Sequence, residues 1–146
     1  MEIIEASLSN VEELSVMFDQ YRQFYRQESN MNGARRFLAE RIVKNESVIF
    51  ISKDLDLATG FVQCYPIFTS VGMQRLWLLN DLFVKEDYRG QGISKLLINR
   101  CKQLVKETGA KGLMLETEKS NVIGNRLYPQ EGFVLSEGSN FYLWKE

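Results

Sequence analysis

Apolar residues recur at helical spacing at Val11, Leu14, Phe18, Tyr21 and Tyr25, and this stripe predicts an amphipathic helix. Ser9 followed by Glu12 reads as a capping box that opens it. Asn30 to Gly33 breaks the pattern, and Ala34, Leu38, Arg41 and Ile42 predict a second helix ending near Lys44. A short first strand, Ile3 to Ala6, precedes both. Extended segments follow at Ser47 to Ser52 and Thr59 to Tyr65, joined by a turn at Lys53 to Leu57. Gln74 to Val84 is a long strand rich in large apolar residues, which places it at the centre of a sheet. From Gly92 to Thr108, Ile93, Leu97, Cys101, Leu104 and Val105 line one helical face and lysines line the other. Gly109 ends this helix as a left-handed cap. Gly112 to Thr117 is a further strand, Asn121 to Tyr128 a helix ended by Pro129, and Phe133-Val134 with Phe141 to Trp144 a closing hairpin. Two strands joined by the helix after Gly92 form a parallel pair. The whole reads as one α/β domain over residues 1–146, without linker or repeat.

Composition narrows the chemistry. The chain contains no histidine, which excludes Ser-His-Asp and Cys-His nucleophiles and any His-ligated metal site. Cys64 and Cys101 are too few for a thiolate metal site and too far apart for a CxxC motif, so no metal is expected. One disulfide between them is possible; isolated in apolar segments, they read as buried thiols in a reducing cytoplasm. The net charge of −1 argues against a nucleic-acid binder. Apolar runs such as Val48 to Ile51 are four residues long, against about 20 for a membrane span, and the acidic start has no signal-peptide character.

The segment from Leu82 to Ser94 carries the candidate chemistry. A strand ends, Arg89-Gly90-Gln91-Gly92 turns, and a strong helix begins. Amides at a helix start lack partners within the helix, and its dipole favours an anion there. Gly90 and Gly92 admit a ligand close to the backbone, and Arg89 and Lys95 add charge. The physical reading is a diphosphate cradle; a tight strand–helix turn with surface charges accounts for the same residues. Lys95 stands where a dinucleotide fold needs its third glycine, and no Gly-Lys-Ser/Thr of a nucleoside triphosphate loop follows.

Arg89-Gly90-Gln91-Gly92-Ile93-Ser94 resembles the Arg/Gln-x-x-Gly-x-Gly/Ala motif of the GNAT superfamily of N-acetyltransferases, with Ser94 in the last small position. Asn121 to Tyr128 followed by Gly132-Phe133 resembles the family's second signature. Asn80 to Val84, Tyr21 to Tyr25 and Gln63 to Pro66 are similar to small diamine- and histone-type members. The resemblance implies a mixed, mostly antiparallel sheet of six to seven strands. Its parallel fourth and fifth strands would splay at the centre, with about four helices around it. It implies transfer of an acetyl group from acetyl-CoA to a primary amine, whether a polyamine, a small amine or a lysine side chain, in a cytoplasmic homodimer.

By the same resemblance, Leu82, Phe83 and Val84 offer backbone amides to the acetyl carbonyl. The segment Arg89, Gly90, Gln91, Gly92, Ile93, Ser94 and Lys95 grips the coenzyme pyrophosphate. Asn121 binds pantetheine or caps its helix, and Tyr128 contacts the coenzyme and serves as general acid. The attacking amine must be neutral. Asn80 stands where diamine-type relatives carry a glutamate, so Asp81 and Glu116 are the candidate bases, with a water relay as the alternative. Tyr21, Tyr25, Tyr65 and Asp81 are candidates for holding a cationic acceptor; an aromatic stripe at this spacing also serves as core. A silent acyl-CoA-binding sensor or scaffold would keep the cradle and dispense with Tyr128.

Overall fold

The apolar stripe of the first helix packs where its spacing places it. A computed structural model describes residues 1–146, which divide into two units, residues 1–116 and residues 117–146. The first unit runs β1 (Glu2–Glu5), α1 (Val11–Phe24), α2 (Met31–Val43), β2 (Val48–Asp54), β3 (Leu57–Thr69), β4 (Gln74–Val84), α3 (Ile93–Glu107) and β5 (Leu113–Leu115). The strands lie in the order β1-β2-β3-β4-β5, antiparallel throughout except for the parallel β4/β5 pair. Leu14, Met17, Phe18, Ala34 and Leu38 of α1 and α2 form one buried cluster with Ile49, Ile51, Phe61 and Phe83 of the sheet. Strand side chains alternate, so Phe50, Val62 and Cys64 face the other way, toward α3. There the Arg100 guanidinium lies 4.2 Å from the centre of the Phe50 ring, and the Cys101 and Cys64 sulfurs are 3.3 Å apart.

Two loops fix how α1 and α2 meet. Before α1, a 3₁₀ turn at Leu8–Asn10 carries the cap: the Ser7 N–H donates to Asn10 Oδ1 at 2.9 Å. The box expected at Ser9 and Glu12 is therefore displaced by two residues. Ser9 meets the Ser7 hydroxyl instead, and Glu12 binds Arg35. Between the helices, the buried Asp19 carboxylate accepts from the Ser29 hydroxyl (2.6 Å), the Asn30 N–H (2.7 Å) and Gln23 Nε2 (3.1 Å). These donors, Ser29 foremost, hold its pKa below the ordinary carboxylate value.

The fold is of the expected class, a mixed sheet with a parallel β4/β5 pair and four helices, and the sheet differs in three details. β3, not β4, is its middle strand. The parallel pair spans only Trp77–Leu79 against Leu113–Leu115, and β5 is an edge strand rather than a central one. Residues 133–146 contain no strand, so the sheet has five strands instead of six or seven. A strand is completed by a neighbour's hydrogen bonds, not by its own composition. Phe141 to Trp144 has strand-like composition, but its side chains are 69–86% exposed and none enters a ladder.

The second unit holds one helix, α4 (Val122–Gln130). Asn121 caps it, accepting the Gly124 N–H at 3.0 Å and donating to Thr117 Oγ1 at 2.9 Å. Pro129 lies inside the last turn rather than beyond the end. The turn closes through Gly132, at φ 91°, whose N–H reaches the Pro129 carbonyl, and through the Phe133 N–H on the Tyr128 carbonyl. This is a Schellman closure with its apolar contact, the Tyr128 and Phe133 rings meeting edge-on at 5.9 Å. The Leu-Tyr…Gly-Phe spacing in the sequence has this local geometry as its physical content.

Candidate active site

β3 and β4 slip register once. Gln63 faces Asp81, but Cys64 faces Leu79, which leaves Asn80 as an extra residue in β4. A bulge of this kind resets side-chain alternation. Trp77, whose indole N–H donates to Thr108 Oγ1 at the end of α3, and Leu79 point to the α3 face. Asp81 and Phe83 point the other way: the Phe83 ring meets Tyr21 of α1 at 6.4 Å. Without Asn80 in excess, Asp81 would share the face of Leu79. The bulge also coincides with the last β4/β5 pair, at Leu79 and Leu115, so no strand pairs with Asn80 to Val84 on that side. Leu82, Phe83 and Val84 stand in this half-open stretch.

Asp81 is the most constrained group of the candidate set. It is 4% exposed. Its Oδ2 accepts from Gln63 Nε2 at 2.5 Å and its Oδ1 from Asn80 Nδ2 at 2.9 Å; the Tyr21 hydroxyl also bonds it. Burial pushes its carboxyl above the ordinary range, and the three donors pull it partway back. All three are neutral, and no basic side chain touches the carboxylate. Buried carboxylates in a fold are ordinarily matched by a cation.

The candidate acceptor residues gather around it. The single Tyr21 hydroxyl proton is shared between the Asp81 carboxylate and the Asn80 carbonyl, 3.3 Å from the hydroxyl, and the Tyr21 ring meets those of Tyr25 at 5.0 Å and Phe61 at 5.9 Å. Tyr65 lies on the same face of β3 as Gln63; burial first and the Asp81 charge second raise its hydroxyl pKa. Glu116 is not part of this group: it is exposed, beyond the end of β5. Asn121 and Tyr128 belong to the second unit, as its helix cap and as part of its closing turn.

At the end of β4, a 3₁₀ turn at Glu86–Tyr88 leads to Arg89, whose Nε donates back to the Val84 carbonyl at 2.9 Å. Gly90 and Gly92 adopt φ of 78° and 80°, and a Cβ on either would meet no atom within 4 Å. Their backbone therefore borders open space. Gly92 caps α3 without a side chain, and the first bond of the helix ladder runs from the Leu96 N–H to the Gly92 carbonyl. The earlier amides are left outside that ladder. An open groove of about 500 Å³, lined by Gln20, Phe24, Phe83, Lys85 and Arg89 among others, borders this corner.

The family model for the acetyltransferase (GNAT) family matches residues 14–133 of the chain. The chain belongs to the GNAT acetyltransferase family. Acetyl-CoA-dependent N-acetyl transfer is the enzyme class of this family. An uncharacterized N-acetyltransferase of Bacillus subtilis, YhfO, is 40% identical over 142 residues, covering 97% of this chain and 95% of its own. The crystal structure of a probable acetyltransferase, 33% identical, superposes with a TM-score of 0.94 over 100% of this chain and 99% of that one. An aminoglycoside N-acetyltransferase solved with CoA shares the fold, at 18% identity and a TM-score of 0.83. No helix here is long and apolar enough to cross a membrane.

Sequence reasoning passed over Gln63 and Ser47, which the structure links to Asp81 through hydrogen bonds. The signal was present: Gln63 is the one amide in the strand run Phe61-Val62-Gln63-Cys64-Tyr65.

Proposed function

We propose that this GNAT protein transfers the acetyl group of acetyl-CoA to a primary amine that enters as a cation beside Asp81. One observation carries the reading: a buried carboxylate without a basic partner, set among tyrosines. The missing cation is then the acceptor ammonium. Asp81 holds that ammonium and, poised by burial, accepts its proton at a carboxylate oxygen. Tyr21, Tyr25 and Tyr65 flank the amine with ring faces and hydroxyls.

The cradle fits the coenzyme. Open space before Gly90 and Gly92, amides outside the α3 ladder, and the cations Arg89 and Lys95 suit a pyrophosphate. Gln91, Ile93 and Ser94 complete that segment. Bound there, the coenzyme supplies an activated acetyl thioester. Leu82 and Val84 offer backbone N–H groups to the acetyl oxygen, while the Phe83 N–H between them faces β3. We assign Asn121 to the pantetheine arm and Tyr128 as holder of the proton that the departing thiolate needs. Exposed Glu116 is the weaker base candidate. The family match runs through both units, which supports residues 1–146 as one catalytic domain.

The test follows free thiol over a panel of polyamines, lysine peptides, aminoglycosides and small amines. Amine-dependent thiol release is expected for at least one cationic acceptor. Acetyl-CoA at about 100 times its Kd should stabilise the fold by about 2.7 kcal/mol, and ATP should not. Tyr128→Phe should lower kcat more than it weakens coenzyme binding; full turnover in that variant would remove the acid assignment.

A second copy is the proposed occupant of the C-terminal segment, where Phe141 and Trp144 are 79% and 82% exposed. Light scattering should read about twice 17.0 kDa, and the double variant Phe141→Asp, Trp144→Arg half of that. A parent at 17.0 kDa ends the dimer reading.

A further inference from the structure

Gln63 is 0% exposed in the middle strand of the sheet. A buried carboxamide is tolerated only when both its ends are bonded. Here they are. The Ser47 hydroxyl donates to Gln63 Oε1 at 2.8 Å, which turns Nε2 toward Asp81 Oδ2. Ser47 stands at the entrance to β2, Gln63 in β3 and Asp81 in β4, so the bonds cross three adjacent segments inside the protein. The register slip at Asn80 brings the last two face to face.

Packing alone does not explain this choice. Phe61, two residues earlier on the same face of β3, meets Phe83 ring to ring at 6.2 Å across the same strand pair. An apolar pair at 63 and 81 would fill the next position without burying polar atoms. The chain instead spends the position on an amide whose orientation is dictated from behind by Ser47. Asn80 takes the other carboxylate oxygen. Together they leave Asp81 one orientation.

We propose that Gln63 is a positioning residue of the acceptor site, its carboxamide turned by Ser47 so that its N–H fixes Asp81 and keeps the carboxylate ionised where the amine must dock. This rests on the acceptor reading of Asp81 given above. Gln63 touches neither substrate nor coenzyme in this role; it acts through Asp81. The titratable groups around that carboxylate are Tyr21 on α1 and Cys64 and Tyr65 on β3, with Arg41 of α2 acting on Tyr65. The hydrogen bond with Cys101 and then burial raise the pKa of Cys64, and burial raises that of Tyr65, so neither titrates on the acid side where Asp81 does.

The sign follows. A donor to the ionised form lowers a carboxyl pKa, so removing it raises the pKa. Gln63→Met keeps the volume and removes the N–H. Its acid limb in kcat/KM for the amine should move up by about one pH unit, which is about a tenfold loss on the acid side. The rates should converge with those of the parent at high pH, and coenzyme affinity should be unchanged. Ser47→Ala should move the limb in the same direction by less, and it provides the milder test if Gln63→Met does not fold. The Asp81 carboxyl resonance, followed by ¹³C NMR in the folded variants, reads the same shift without turnover. A loss uniform across pH, or an unmoved carboxyl titration, overturns the proposal. If Asp81→Asn leaves acceptor kinetics untouched, the acceptor reading itself fails. If Asp81→Asn is inactive while Gln63→Met moves neither limb nor resonance, only the role of Gln63 falls.

Discussion

Asp81→Ala is expected to lower kcat/KM for the amine by about 10²–10⁴-fold, the range for loss of a positioned proton acceptor. Coenzyme affinity should stay within about twofold, because no cradle residue touches this carboxylate. The size of the effect follows from where the group sits. Its bonding partners are Gln63, Asn80 and Tyr21, none of which can replace it as an anion or as a base near neutrality. A drop of less than about fivefold, with the variant folded, would leave a water relay as the better account.

Stability should report the same carboxylate independently. Its folded pKa lies above its unfolded one because burial disfavours the charge. The folded state therefore holds the proton more tightly over that window, and stability falls as pH rises from the ordinary carboxylate value through the raised one. Asp81→Asn removes this dependence. Measured by urea melts, the variant should gain on its parent as pH rises through that window and keep a constant difference above it. A difference that is flat with pH would show that Asp81 is not held as described.

Gly92→Val should weaken coenzyme binding by at least about 100-fold, the second large effect. A branched side chain at a φ of 80° costs on the order of 1–3 kcal/mol in strain. In addition, its Cβ would project into the open space assigned to the pyrophosphate. Strain and exclusion are separable here. Gly109, at the other end of α3, has a φ of 64° and no atom within 4 Å of a built Cβ. Gly109→Val should destabilise by a similar amount and leave affinity unchanged. Equal affinity loss in both variants, read by calorimetry, would remove the cradle from the corner before Ile93.

Much of this protein is legible in the residue order because its causes are local. The stripe from Val11 to Tyr25, the strong face of α3 and the glycine that closes it each depend on neighbours within one or two turns. So does the corner at Gly90 and Gly92, whose left-handed backbone only glycine adopts without strain. The resemblance to acetyltransferases rests on these same local devices, which is why it could be read before any tertiary contact was known.

The surroundings of Asp81 were not legible in that way. Alternation counted along β4 puts Leu79 and Asp81 on one face; the extra residue Asn80 separates them. Nothing inside the run Leu78-Leu79-Asn80-Asp81-Leu82 announces a bulge, because a bulge is a property of two strands in register. The same holds for Ser47 and Gln63, remote in sequence from Asp81 and joined to it only by strand pairing. It holds in reverse for Phe141 to Trp144, whose composition suits a strand that no ladder completes. Residue order alone determined the helices and the glycine corner before α3; long-range pairing decided which face receives the carboxylate and what holds it there.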